Sequence, residues 1–273
     1  MIEAGLGRQR SVMNSTSVRA RAAALVFASL VSLPAIAAAE GRVAVAAASD
    51  LKFALDEIVQ AFAKKRPDIT VAVTYGSSGN FYAQLSRGGP FDVFFSADVE
   101  YTRRLASEGL TVPGSEFVYA VGRIVLWVPR SSRLDPQRGL DALRDPSVRK
   151  VAIANPQHAP YGRAAVAALQ AAKVYAAVQP KLVFGENVAQ AAQFVQSGAA
   201  DAGIIALSLA TAPALAAEGR FWEVPLDSYP RMDQGGVILK RAGDLAAARA
   251  LREFMLGAES RAVLKRYGFF LPE

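Results

Sequence analysis

The chain contains no cysteine and a single histidine, His158. The first absence excludes disulfides, Cys-built zinc sites, iron–sulfur clusters and a thiol nucleophile together. It leaves the compartment open, because a chain of 273 residues can bury a sufficient core without cross-links. The second absence limits acid–base and metal chemistry: no two-His metal site can form, and a Ser-His-Asp triad would have to use His158. Long runs of like charge are also missing. Charged residues are 20% of the chain against 52% hydrophobic, which excludes a disordered polymer. The formal net charge is +7, but Arg8, Arg10, Arg19 and Arg21 face only Glu3 in the first 39 residues, a local +3 that leaves +4 for the rest. No RNP-like aromatic motif or dense basic stripe accompanies that excess, so nucleic acid is not an expected partner.

What is present begins with an address. The early arginines are followed by an apolar stretch, Ala22 to Val31, and then by small residues ending Ala37-Ala38-Ala39. A basic region, a short apolar core and an Ala-x-Ala end are the three parts of a secretory signal peptide. The pattern predicts a signal over 1–39, with Met13 an alternative start, a mature chain beginning at Glu40, and a periplasmic destination. The competing reading is an uncleaved membrane anchor, against which Ser29, Ser32 and Pro34 interrupt a barely sufficient apolar run.

From Glu40 onward, short β-type runs alternate with amphipathic stretches. Val43–Ala47 reads as a buried strand, and Leu51, Leu55, Ile58 and Phe62 then recur about one helical turn apart. Lys64, Lys65 and Arg66 complement the negative end of that helix before Pro67 stops it. Ile69–Tyr75, Val93–Phe95, Ile124–Val128, Val151–Ala154, Leu182–Phe184 and Ala202–Ala206 read as further strands, and Leu245–Leu256 and Glu259–Tyr267 as closing helices. Continuous apolar strands between helices predict an α/β fold with parallel sheet covered on both faces. Periodicity alone does not choose between one large domain and two lobes.

In such sheets ligands bind at the carboxyl ends of strands, where helix N-termini present free N–H groups. Three segments combine a strand end, small or hydroxyl residues and a helix start: Ala47-Ala48-Ser49-Asp50, Tyr75-Gly76-Ser77-Ser78-Gly79-Asn80, and Asn155 through Gly162. Serine hydroxyls and backbone amides can hold a dehydrated oxyanion without a full counter-charge. Each feature has a plainer reading. Ser49 and Ser78 can be N-caps of their own helices, Asp50 a first-turn dipole partner, His158 a hydrogen-bonded loop residue that fixes Tyr161, and Tyr161 a packing ring.

At these same segments the sequence acquires a resemblance. Ala-Ala-Ser-Asp-Leu-Lys-Phe-Ala (47–54), Tyr-Gly-Ser-Ser-Gly-Asn (75–80), Gly-Pro-Phe-Asp-Val-Phe-Phe-Ser-Ala-Asp (89–98), Ala-Asn-Pro-Gln-His-Ala-Pro-Tyr-Gly (154–162), Gly-Glu-Asn-Val-Ala-Gln-Ala (185–191) and Lys-Arg-Tyr-Gly-Phe (265–269) stand in order. Together they resemble the periplasmic molybdate-binding proteins of ABC transporters, over essentially Val43 to Phe269. The resemblance implies a type II periplasmic-binding fold: two α/β lobes joined by two crossover strands, with the ligand cleft between them. On this chain it implies lobe one at 40–120, lobe two at 121–228, and a return to lobe one over 229–273 with the C-terminal helices. Crossovers are expected near Val118–Arg123 and Pro225–Met232.

The ligand-binding residues it implies are Ser49, Ser78, Tyr161 and the backbone amide of Val188. Two positions depart from the family pattern. Ala206 lacks the hydroxyl of a tyrosine that some members carry there, a role Tyr161 is expected to take over. Asp50 replaces a neutral residue; its carboxylate is expected to point away, leaving its N–H as a backbone donor. The resemblance further implies molybdate, with tungstate alongside, as ligand. Molybdenum would be held as an oxyanion with no direct metal-ion ligand, catalytic residue or cofactor. The implied partner is the membrane permease of an ABC transporter, and the implied state a monomer. Another small oxyanion such as sulfate or phosphate is the alternative ligand. An enzyme or a sensor domain on the same scaffold is the alternative class; no helix-turn-helix precedes residue 40, and an export signal does.

Overall fold

The computed structural model describes residues 41–272; the expected signal peptide at 1–39 and the mature start at Glu40 lie outside the described residues. The chain opens with strand β1 (Gly41–Ala48), a helical turn at Ser49–Leu51 and helix α1 (Lys52–Lys65), which buries Ala54, Leu55, Ile58 and Phe62 on one face. Strand β2 (Ile69–Gly76), helix α2 (Ser78–Leu85), strand β3 (Val93–Ser96), helix α3 (Val99–Ser107) and strand β4 (Phe117–Gly122) follow. After Arg123 alone, strand β5 (Ile124–Pro129) begins in a different sheet.

Around β5 assemble strand β6 (Val151–Ala154), helices α4 (Pro160–Ala171) and α5 (Tyr175–Val178), strand β7 (Leu182–Gly185), helix α6 (Val188–Gln196) and strand β8 (Ala202–Ala206). Helices α7 (Leu207–Ala210) and α8 (Pro213–Glu218) lead to strand β9 (Gly219–Glu223). The chain then returns to the first sheet as β10 (Met232–Ile238) and closes with α9 (Leu245–Leu256) and α10 (Ala258–Arg266).

Two five-stranded sheets result, ordered β2-β1-β3-β10-β4 and β7-β6-β8-β5-β9. This is the two-lobed type II periplasmic-binding fold. The sheets are mixed rather than wholly parallel. Within each, strands linked by a helix run parallel, whereas β10 is antiparallel to β3 and β4, and β5 is antiparallel to β8 and β9. The physical reason is the route: β5 and β10 enter from the opposite sheet without the right-handed helical crossover that sets parallel neighbours. Each sheet has its own apolar core. One gathers Val43, Val45, Leu55, Phe95 and Leu251, with a smaller cluster of Phe81, Phe94, Leu105 and Val237 beside it; the other is built on Trp127, Ile153, Leu169 and Ile205 and extends across to Ala48 of β1 and Ala97 just after β3.

Candidate functional site

The site is built where parallel strand ends face helix starts. Ala48 of β1 pairs with Gly76 of β2, and Ala47 with Phe95 of β3, so Ser49, Ser78 and Ala97 emerge together at one edge. Opposite them, Ala154 of β6 pairs with Gly185 of β7, which brings the starts of α4 and α6 side by side. A narrow cleft, about 180 Å³ of empty space counted with its open mouth, lies between, lined by Ser49, Asp50, Ser78, Ala97, Tyr161 and Val188 among others. The structure thus brings every expected site residue to one cavity, with Ala206 buried at the end of β8.

The two serines are placed as donors. Ser78 Oγ accepts the Ala97 N–H at 2.9 Å, and Ser49 Oγ accepts the Ala189 N–H across the cleft at 3.3 Å. A hydroxyl that already accepts from an amide keeps its single O–H to give. Among the described residues neither serine donates that proton elsewhere. Neither caps its own helix: Ala48 occupies the cap position before Ser49 without a side-chain bond, and Ser77 rather than Ser78 caps α2, accepting from the Asn80 N–H at 3.4 Å.

The helix starts add backbone donors. The first N–H groups of a helix have no intrahelical acceptor and carry the positive end of its dipole. At α6, Asn187 takes the Gln190 N–H and Ser49 the Ala189 N–H, which leaves Val188. At α4, Gly162 and Arg163 donate to the Ala159 carbonyl and Pro160 has no N–H, which leaves Tyr161. Among the described residues the Val188 and Tyr161 amides meet no acceptor.

The phenol of Tyr161 does not follow expectation. Its hydroxyl lies 2.9 Å from Asp50 Oδ2 and 3.1 Å from Gln234 Nε2, turned towards Gly122 at the crossover. Its one proton therefore goes to a buried carboxylate instead of replacing the hydroxyl missing at Ala206. The contact left to it is the backbone N–H. Burial and then the charge of Asp50 hold this phenol well above the usual tyrosine range, so it stays neutral. The Asp50 side chain is buried, and its Oδ2 also accepts from Gln234 Nε2 at 2.7 Å on the side of the crossover. Burial pushes the carboxyl up to about 6, against the lowering effect of the Gln234 and Tyr161 bonds and of the nearby Asp50 and Leu51 backbone N–H groups. Its Oδ1 has no partner.

Sequence reasoning missed the groups that hold the lobes together. His158 bonds Ser77 rather than fixing Tyr161: Nδ1 lies 2.8 Å from Ser77 Oγ, and its carbonyl accepts the Gly79 N–H at 2.9 Å. Arg163 of α4 reaches Asp98 Oδ2 at 2.6 Å and the Tyr101 hydroxyl at 3.2 Å, and Ser208 donates to the Asp50 carbonyl at 2.8 Å. These bonds close the clamp. A larger open hollow of about 630 Å³ beside Asp98, Arg163 and Arg231 has its charges already paired with one another or with Asp233 and offers no comparable set of free donors.

Fold and site together have the form of a clamp for a small solute. Residues 43–270 match the family of bacterial extracellular solute-binding proteins, and the chain belongs to that family. It is 38% identical to the molybdate-binding protein ModA of Rhodobacter capsulatus over 253 residues, 93% of this chain and 96% of that one. Identity to ModA of Azotobacter vinelandii is also 38%, over 247 residues covering 90% and 97%. The solved periplasmic molybdate-binding protein of Azotobacter vinelandii superposes with a TM-score of 0.79 at 34% identity, over 85% of this chain and all of that one.

Proposed function

We propose that this protein captures molybdate, and tungstate beside it, outside the cytoplasm and delivers it to the membrane permease of an ABC transporter. The observation that carries the reading is the pair of serine hydroxyls, each held as an acceptor by a backbone amide and so left with one proton to donate into a shared cavity. The amides of Tyr161 and Val188 complete a donor set contributed by both lobes. All of these donors are neutral. Fixed dipoles spread the charge of a dianion without a counter-ion, which permits release at the permease. The relatives named for molybdate cover nearly the whole chain and support the choice of ligand.

The anion works through closure. Ser49 and Ser78 belong to one lobe and Tyr161 and Val188 to the other, so only the closed form offers the full shell. A ligand with contacts in one state alone shifts the population towards it. Selectivity over sulfate rests on cavity size, because molybdate and tungstate are larger than sulfate and nearly equal to each other. The protein acts as a monomer without a cofactor, and performs no catalysis. Residues 1–39 serve as a cleaved export signal.

Calorimetric titration of the ligand-free protein with molybdate, tungstate, sulfate and phosphate tests this reading. One-to-one binding of the first two at about micromolar Kd or tighter, roughly −8 kcal/mol, is expected. Preference for sulfate or phosphate would overturn the ligand, and silence towards all four the function.

A further inference from the structure

Among the described residues lining the cavity, Asp50 is the one that bears a carboxyl. Its position opposes the charge of the proposed ligand. Oδ2 is engaged by Tyr161 and Gln234, while Oδ1 is buried with no hydrogen-bond partner. Among the described residues no cation faces this carboxyl. Strand β4 presents Tyr119 and helix α4 presents Tyr161, both phenols held well above their usual range chiefly by burial. Strand β10 brings the neutral amide of Gln234, and α7 the hydroxyl of Ser208, spent on the Asp50 carbonyl. Helix α6 contributes Val188 and Ala189. The adjoining Lys52 of α1 gives its ammonium to Asp56 at 3.3 Å, and His158 is bonded to Ser77 of the cavity lining.

An ionised carboxylate in this position is disfavoured twice once a dianion arrives: by the dry, unpaired oxygen and by like charge nearby. Protonation relieves both penalties and converts an oxygen with no well-formed hydrogen bond into a donor. We propose that Asp50 serves the site in its acid form, so that capture of the oxyanion draws up to one proton from solvent into the site, the more the higher the pH above the carboxyl's ligand-free pKa. The inference rests on the oxyanion reading above. Burial already moves the carboxyl in the required direction, up to about 6, and a bound dianion moves it further.

The sign follows from linkage. Asp50 binds its proton more tightly in the closed complex than in the open protein, so affinity falls as pH rises between those two pKa values. The test is calorimetric titration of the parent, Asp50→Asn and His158→Gln with molybdate, in buffers of different ionisation enthalpy. The parent should take up about half a proton or more per anion at about pH 6, and its Kd should weaken about tenfold from about pH 5 to pH 7. Asp50→Asn should take up almost none, show a flat profile, and bind more tightly than the parent at about pH 7; a merely structural role for Asp50 predicts weaker binding instead. Uptake below about a tenth of a proton in the parent, or uptake that persists in Asp50→Asn, would overturn the proposal; persistence in that variant with loss in His158→Gln would assign the proton to His158. If Asp50→Asn fails to fold, the parent's uptake and its change in His158→Gln still decide. Absence of molybdate binding by the parent at every pH would defeat the ligand reading, and the proposal with it.

Discussion

Replacing Ser78 with alanine removes two interactions that can be measured separately. The hydroxyl is the acceptor for the buried Ala97 N–H at 2.9 Å, and its proton is free for the ligand. A hydrogen bond to a charged group contributes about 1.5–3 kcal/mol, so loss of the donor should weaken molybdate binding roughly 10- to 150-fold. Loss of the acceptor orphans the Ala97 amide, which costs about 1–3 kcal/mol of stability in the ligand-free protein. For a chain of this length that is roughly 2–4 °C in Tm per kcal/mol. Titration calorimetry reads the first effect and scanning calorimetry without ligand the second. If Tm falls as expected while Kd stays within about twofold, Ser78 braces the loop after β3 and nothing more, and the assignment of its proton to the anion is refuted.

Other substitutions address the clamp and the buried carboxyl. A Cβ at Gly79 would lie 2.4 Å from the His158 carbonyl oxygen and 2.9 Å from its Cα, so Gly79→Ala should hold the lobes apart; at least about tenfold weaker binding and no compaction by small-angle scattering on adding ligand are expected. Arg163→Ala breaks a half-exposed pair with Asp98, worth about 0–1 kcal/mol, so Kd should rise no more than about fivefold; a much larger loss would place the guanidinium on the anion. The pKa of Asp50 is raised to about 6 from 3.8, so the stability tied to it is complete below its unfolded value and is lost as pH rises through about 6. That loss is about 3 kcal/mol in order of magnitude, and Asp50→Asn should abolish it, making the ligand-free variant more stable than the parent above about pH 7 in denaturant titrations. Tyr161→Phe removes a bond that lowers the pKa of this carboxyl, so the same transition should move to higher pH.

Much of the fold is legible because its strands are short apolar runs bounded by turns. The runs at 124–128, 151–154, 182–184 and 202–206 correspond to β5 to β8, and the closing helices fall where the one-turn apolar spacing puts them. Strand β10 escapes that reading. Met-Asp-Gln-Gly-Gly-Val-Ile offers no apolar run, and its burial comes from β3 and β4 on either side and from helices α3 and α9 packed against it. At the site, the serine-rich loops were visible but the cap was displaced by one residue, since adjacent hydroxyls at 77 and 78 look alike until a backbone direction is known. The partners of Asp50 had no sequence signal. Tyr161 lies 111 residues away on the opposite lobe and Gln234 lies 184 residues away on β10 of the same sheet, and no local period reports contacts across such separations.

The position of β10 also orders events during synthesis. It sits between β3 and β4, so until residue 232 has emerged, β4 lacks its neighbour and β3 presents a bare edge, the kind of surface that recruits other chains. The sheet of β5 to β9 is encoded without interruption between 124 and 223 and is complete on emergence. A chain cut short before β10 would therefore carry a finished second sheet beside an unfinished first one, whose open strand makes truncated products adhesive rather than merely inactive.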